Sequence, residues 1–325
     1  PATKCAISTP MWKRWNASDC LPPRLRPGES RLVKRRIYQL DVFSNTPYAG
    51  NQLAVITDGD GLSTARMQAI ALEMNLSETV FVQKPTNNKA LARLRIFTTT
   101  RELPLAGHPV IGTWYLLAEL GVVPAQEGAV HVWQQTGAGT LPVEIAFHNG
   151  RPYQVTMTQK PAKFRAARLN PTRLARSLGL SPRDFDSSLP LEYVSTGVFN
   201  LMVPLRKRSA LPRILMDIYA LKKLLSNHGV VAYCFALGRP GKACARGMLP
   251  WELYEDPATG SAAGSLGAYL VRHNRLATGK HLEIQQGVEM GRPSRIHVEV
   301  QSVRGKLVPR VSGAAVCILE GHIEA

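Results

Sequence analysis

The chain has 325 residues, 45% of them hydrophobic and 19% charged, with 40 Lys and Arg against 23 Asp and Glu for a net charge of +17. That apolar share is what a buried core needs, so disorder throughout is excluded, and at roughly 150 residues per domain the length fits about two domains. The longest uninterrupted apolar run, Val230 to Leu237, falls far short of the roughly 18 residues of a membrane-spanning helix, which predicts a soluble protein with no membrane partner.

Residues 1–36 carry nine basic groups (Lys4, Lys13, Arg14, Arg24, Arg26, Arg31, Lys34, Arg35, Arg36) and two acidic ones, Asp19 and Glu29. Such a Pro- and Arg-rich stretch is expected to be a flexible basic extension. It lacks the apolar central segment of a secretory signal, so no export signal is read and a cytoplasmic setting is expected. The five cysteines (Cys5, Cys20, Cys234, Cys244, Cys317) have no metal-type spacing, which favours reduced thiols and no metal. Cys234 and Cys317 lie in apolar runs and are expected in the core. No basic stripe interleaved with aromatics occurs in the body, so nucleic acid is disfavoured as a partner, and the excess charge instead suits attraction of an anionic substrate.

Globular texture begins at Ile37. Ile37 to Phe43 alternates like a half-buried strand, residues 45–51 are loop chemistry, and Leu53 to Ile56 reads as a second strand. Ser63 is a predicted N-cap, followed by Met67, Ile70, Ala71 and Met74 at helical spacing, with a stop near Asn75. Strands are predicted at Thr79 to Val82 and Leu91 to Phe97. The turn-rich stretch Leu103 to Thr113 then leads into an apolar helix from Trp114 to Leu120, closed by Gly121. Strands follow at Val130 to Gln134 and Val143 to Ala146. Much later, Asp256 to Gly264 leads into a helix from Ser265 to Arg272, with strands at Leu282 to Gln285 and Ile296 to Val300 beyond it. In both turns a glycine opens the segment and a leucine lies ten residues on, Gly107 to Leu117 and Gly260 to Leu270. The pattern predicts two similarly built α+β halves, 37–150 and 151–325, divided near His148 to Pro152, against one irregular α/β domain as the alternative.

A glycine-rich turn at a helix start exposes backbone N–H groups and the positive end of the helix dipole, which suits a carboxylate or phosphate. Neither turn matches a phosphate loop or a dinucleotide fingerprint, and the pairing points to a carboxylate. His108, Asp256 and Ser261 lie in or beside these turns. Glu78 sits where a helix gives way to a strand, with apolar Val80 and Val82 on its face. Desolvation there would raise its proton affinity towards the range useful in acid/base catalysis, and a surface Glu is the plainer alternative.

These residues, in order, carry a resemblance. Asp41-Val42-Phe43 followed by Ala49-Gly50-Asn51, then Met74-Asn75-Leu76-Ser77-Glu78-Thr79, Glu102-Leu103-Pro104-Leu105-Ala106-Gly107-His108-Pro109, Glu255-Asp256-Pro257-Ala258-Thr259-Gly260-Ser261-Ala262 and Gln286-Gly287-Val288-Glu289-Met290-Gly291-Arg292-Pro293-Ser294 resemble the PhzF-like phenazine biosynthesis family from about Ile37 to Gly321. The resemblance implies a diaminopimelate epimerase-like α+β fold, two pseudo-twofold-related halves each with a central helix and a site between them. It implies a cofactor-independent isomerase of a small carboxylate-bearing metabolite, like trans-2,3-dihydro-3-hydroxyanthranilate, acting by proton transfer. Glu78 would move the proton, and His108, Asp256 and Ser261 would orient the substrate and help. Gly107, Gly260, Ala262 and nearby N–H groups would bind the carboxylate, with Asn51 as a further wall. A homodimer is also implied.

The related racemases use a cysteine at each glycine turn, and Ala106-Gly107-His108 and Ala258-Thr259-Gly260 contain none. Residues 245–254 lack the family's usual Arg-Met-Phe opening, and residues 1–36 have no family counterpart. Alternatives are an epimerase- or lyase-type reaction on another amino-acid derivative, or a noncatalytic ligand-binding or nucleic-acid-associated member of the fold.

Overall fold

The computed structural model describes residues 33–225, 230–252 and 254–325. The basic segment up to residue 32, with Cys5 and Cys20, lies outside the described residues, and with it most of the expected flexible extension. Its last three residues are in a strand. β1 (Lys34–Val42) starts three residues before Ile37 because Lys34, Arg35 and Arg36 pair across to Glu324, Ile323 and His322.

The first half continues with β2 (Asn51–Ile56), α1 (Thr64–Met74), β3 (Thr79–Gln83), β4 (Ala92–Phe97), β5 (Glu102–Leu103), α2 (Gly107–Glu119), β6 (Gly128–Thr136), β7 (Gly139–His148) and β8 (Arg151–Thr158). After β9 (Lys163–Ala166) and α3 (Pro171–Ser177) come β10 (Glu192–Ser195), β11 (Phe199–Leu205), α4 (Ile218–Leu225), β12 (Val231–Leu237) and β13 (Lys242–Leu249). The chain closes with β14 (Tyr254–Asp256), α5 (Gly260–Arg272), β15 (His281–Gln286), β16 (Ser294–Val303), β17 (Lys306–Gly313) and β18 (Ala315–Glu324). α1 keeps its predicted ends: the Ser63 side chain accepts from Arg66 N–H, and Asn75 caps the helix in the left-handed region.

In hydrogen-bonding order the sheet runs β18, β1, β2, β3, β4, β6, β7, β8, then β17, β16, β15, β13, β12, β11, β10, β9. Short β5 lies beside β4, and β14 beside β13. From β1 to β8 the pairings are antiparallel, parallel, antiparallel, parallel, antiparallel, antiparallel. The same succession recurs from β10 to β17. β9, which follows β8, pairs with β10, and β18, which follows β17, pairs with β1. Each half thus lends its last strand to the edge of the other. The expected division near residues 148–152 coincides with the β7–β8 turn, where Asn149 and Gly150 both take positive φ. The strand correspondence carries the first half on through β8 and β9, the counterparts of β17 and β18.

α2 packs on β1, β2, β7, β8 and β18, and α5 on β10, β11, β16 and β17. His108 to Ala118 of α2 are all buried, as is α5 from Ala262 to Leu270. A helix apolar on all sides is a core helix, and these two are the axes of their halves. Both start earlier than expected, α2 at Gly107 rather than Trp114 and α5 at Gly260 rather than Ser265. Pro109 is tolerated in the first turn, where its missing N–H would have had no partner. Gly112 survives mid-helix because α2 lies so close to the sheet that a Cβ there would meet Val42 Cγ2 at 2.6 Å and Leu53 Cδ2 at 2.7 Å. Cys234 is fully buried, whereas Cys317 is partly exposed because β18, among the described residues, pairs with a strand on one side only.

Candidate active site

The starts of the two core helices face each other. A Cβ on Gly107 would lie 3.7 Å from Gly260 Cα and 4.0 Å from Ser261 N. Neither N-cap residue, Ala106 or Thr259, makes a side-chain cap. The first helical bonds are Val110 N–H to Ala106 and Ala263 N–H to Thr259. The N–H groups of Gly107, His108, Gly260, Ser261 and Ala262 therefore precede the helical ladder, and both helix dipoles point their positive ends at the same place. Gly107, Gly260 and Ala262 thus all lie in the first turns of the two core helices, with Ser261 at the second position of α5.

Glu78 precedes β3, and its carbonyl takes a long hydrogen bond from Ala54 N–H. Its Oε2 lies 3.2 Å from His108 Nε2, and both atoms are buried without a hydrogen-bond partner. The contact is not an ion pair at neutral pH. Burial depresses the His108 imidazole to about 4, against the pull of Asp256 and a hydrogen bond with the Gln52 backbone, so the ring is neutral. Burial pushes the Glu78 carboxyl up to about 7, opposed by a hydrogen bond with Ser77 and aided by the charge of Glu252. The side chain keeps 15% of its surface exposed.

Asn51, the first residue of β2, ties the halves together. Its Nδ2 donates to Asp256 Oδ1 at 2.8 Å and to the Ala258 carbonyl at 3.0 Å, and lies 3.5 Å from His108 Nδ1. Its Oδ1 accepts from the Ser77 hydroxyl at 3.3 Å. Asp256 Oδ2 accepts from the Thr259 hydroxyl at 2.7 Å. Burial raises the Asp256 carboxyl to about 6, moderated by His108, Thr259 and Asn51. The expected residues Glu78, His108, Asp256 and Asn51 are thus one cluster, although Asn51 and Asp256 are 205 positions apart.

Thr259, Gln286 and Tyr233 complete the cluster and were not expected in it. Gln286 Nε2 donates to the Asp256 carbonyl at 2.7 Å and to Thr259 Oγ1 at 2.9 Å, while its Oε1 accepts from Thr259 N–H and from the Tyr233 hydroxyl. Gln286 opens the last of the motifs quoted above, and that position was its only signal. Two concavities of about 310 and 290 Å³ lie elsewhere, beside His131, Glu144 and Arg310 and beside Arg208, Arg239, Lys242 and Arg295. Neither touches the cluster. Among the described residues no group of His, Cys, Asp and Glu could hold a metal ion.

The arrangement can accept and return one proton beside two converging dipoles. A carboxylate with proton affinity near neutrality is matched to that task. Residues 40–321 match the family described as phenazine biosynthesis-like protein. A Pseudomonas chlororaphis enzyme named trans-2,3-dihydro-3-hydroxyanthranilate isomerase is 37% identical over 286 residues, 87% of this chain and 97% of its own. The crystal structure of a Bacillus anthracis phenazine biosynthesis protein, PhzF family, superposes with a TM-score of 0.82 at 29% identity, over 90% of this chain and 100% of that one. A probable proline racemase from Agrobacterium radiobacter K84, at 15% identity and a TM-score of 0.63 over 90% and 92% of the two chains, shares the fold.

Proposed function

The chain belongs to the phenazine biosynthesis-like protein family, and from that premise we propose that it is a cofactor-independent isomerase of a small carboxylate, trans-2,3-dihydro-3-hydroxyanthranilate or a close relative. The carrying observation is the buried, unpartnered pair of Glu78 Oε2 and His108 Nε2 beside two uncapped helix starts. The substrate carboxylate binds the N–H groups of Gly107, Gly260, Ser261 and Ala262, where the dipoles favour negative charge. Glu78 takes a proton from one carbon and returns it at another. Neutral His108 donates to or accepts from the substrate atom on which charge develops, and Asp256, held by Asn51 and Thr259, fixes the floor of the site. Two-thiol chemistry is not supported, because Ala106 and Thr259 occupy the helix starts.

The proposal includes a cytoplasmic homodimer. No helix among the described residues is long and apolar enough to cross a membrane. Light scattering tests the dimer.

Incubation in D2O tests the reaction. Wild type should place deuterium in the substrate and release a double-bond isomer, while Glu78→Gln should do neither. Inversion at one centre or loss of a leaving group would instead identify an epimerase or a lyase. Tight binding without turnover would identify a ligand-binding protein.

A further inference from the structure

The two halves match connection for connection at several points. The α2–β6 and α5–β15 links are both eight residues long, 120–127 and 273–280, and the β7–β8 and β16–β17 turns are both two. Elsewhere the lengths differ. The β1–β2 connection has eight residues, 43–50, where β10–β11 has three, 196–198. The β15–β16 connection has seven, 287–293, where β6–β7 has two, 137–138. One half therefore carries five extra residues at one place and the other half five at a different place.

These two extra segments grip each other. Arg292 Nη2 donates to Asp41 Oδ1 at 2.5 Å and to the Ala49 carbonyl at 2.9 Å, while its Nε donates to the Gly50 carbonyl at 2.9 Å. Gly50 N–H donates to the Pro293 carbonyl at 3.2 Å, so both backbone polar groups of Gly50 are held by residues 292 and 293. The second Asp41 oxygen accepts from Tyr48 N–H at 2.6 Å. Asp41 is fully buried and Arg292 largely so. Gly50 has a φ of 65°, and a Cβ there would lie 2.2 Å from the Val42 carbonyl oxygen, so the loop has one way to pass this point.

The next residue is Asn51. We propose that Arg292 is a positioning residue for proton transfer, fixing loop 43–50 so that Asn51 meets Asp256 and the Ala258 carbonyl. This deepens the isomerase reading and rests on it for its kinetic consequence. The guanidinium fork is needed because three acceptors lie in three directions, which a lysine ammonium on a flexible stem cannot serve together. The grip has no counterpart in the repeat, because the matching connections, 196–198 and 137–138, are three and two residues long. Displacement of a catalytic group by about 1 Å costs on the order of 10²-fold in rate.

The test uses Arg292→Lys and the double variant Asp41→Asn/Arg292→Gln, which leaves no unpaired buried charge. Two quantities are read: steady-state kinetics, and backbone hydrogen exchange by mass spectrometry over residues 44–51 and over β16–β17. The proposal expects at least one of the two variants to keep the wild-type Tm. In that variant kcat should fall at least about 10-fold with KM within about threefold, and exchange should quicken at 44–51 alone. A folded variant with unchanged kcat, or with unchanged exchange at 44–51, overturns it. So does a fall in Tm with faster exchange everywhere in both variants, which would make the grip a general staple. Should wild type show no turnover, the isomerase reading fails by itself, and the exchange at 44–51 still decides whether Arg292 holds the loop.

Discussion

In the first half β5 sets Leu103 opposite Ile96 and Glu102 opposite Phe97; in the second, β14 sets Asp256 opposite Gly247 and Glu255 opposite Met248. Leu103 and Asp256 each stand four residues before the opening glycine of a core helix, so they are equivalent positions. The same register makes Arg95 the counterpart of Arg246, and both form a two-pronged contact with the preceding glutamate of the short strand. Arg95 holds Glu102 at 2.8 and 2.6 Å, and Arg246 holds Glu255 at 2.9 and 2.6 Å. Carried into β3 and β12, the register puts Val80 level with Tyr233, and Glu78 therefore level with Val231. The scaffold is repeated and the chemistry is not. One half offers Glu78 and His108 where the other has Val231 and Ser261; that other half offers Asp256 and Thr259 where the first has Leu103 and Ala106. Gly247 shows how backbone room was made for the second set, since a Cβ there would lie 2.7 Å from Thr259 Oγ1 and 3.0 Å from Gln286 Nε2. Ile96 stands at the equivalent place. The cluster around Asn51 thus draws Glu78 and His108 from one half and Asp256 and Thr259 from the other.

The sharpest break in that comparison is at Glu78. Glu78→Gln should lower kcat by about 10²–10⁴-fold with little change in KM, as expected for loss of a general base. Val231→Ala, at the equivalent position, should leave catalysis within a few-fold, and equal losses at the two sites would mean that the halves share the chemistry. Next come the twin forks. Arg246→Ala removes a charge that also donates to the Leu211 and Ile214 carbonyls and strands a nearly buried Glu255. Its expected cost by denaturant unfolding is about 3–5 kcal/mol. Arg95→Ala breaks the same geometry where Glu102 is over a third exposed, and should cost roughly 0.2–1 kcal/mol. Matching losses would show that burial does not separate the pair.

Glu78 also carries a stability signature. Its carboxyl sits at about 7 in the folded protein against 4.5 in the free side chain, so the folded state binds the extra proton. Stability attributable to this group is complete below about pH 4.5 and is lost as pH rises through 7. Glu78→Gln should therefore be more stable than wild type at pH 8, by roughly 1–3 kcal/mol, with the gain vanishing near pH 4.5. An equal difference at both pH values would contradict the burial of this carboxyl. The smallest effect is the shape of the pH profile. The kcat/KM of wild type should rise as Glu78 ionises through about 7 and level off above, falling more steeply below about 6 where Asp256 takes a proton and ceases to accept from Asn51 and Thr259. His108 stays neutral down to about 4 and adds no limb between pH 5 and 9.

Much of this was legible along the chain. Ser63 and Asn75 mark the ends of α1 because capping is satisfied within three or four residues. Gly107 and Gly260 mark the helix starts, and Glu78, His108 and Asp256 were found from their neighbours. The repeat is written more fully than the paired glycines suggest: Glu-Leu-Pro-Leu-Ala-Gly-His at 102–108 and Glu-Asp-Pro-Ala-Thr-Gly-Ser at 255–261 share Glu, Pro and Gly at the same spacing. The helices were placed too late because a proline and several glycines lower local helix propensity, which burial then overrides. Gln286 and Tyr233 were missed because nothing near them in sequence shows that they meet Asp256.

The order of residues by itself settled eight of the eighteen strands among the described residues (β1 to β4, β6, β7, β15 and β16), the caps of α1, the two glycine entries and the inventory of groups able to move a proton. Only the folded chain decided which of those groups are dry, which are paired, and that Asp41 and Asn51 would be held by Arg292 and Asp256 from more than 200 positions away. The division follows from range. Propensity and capping act through the nearest few residues, whereas proton affinity depends on how much water and charge surround a group, and that is fixed by segments arriving from the other half.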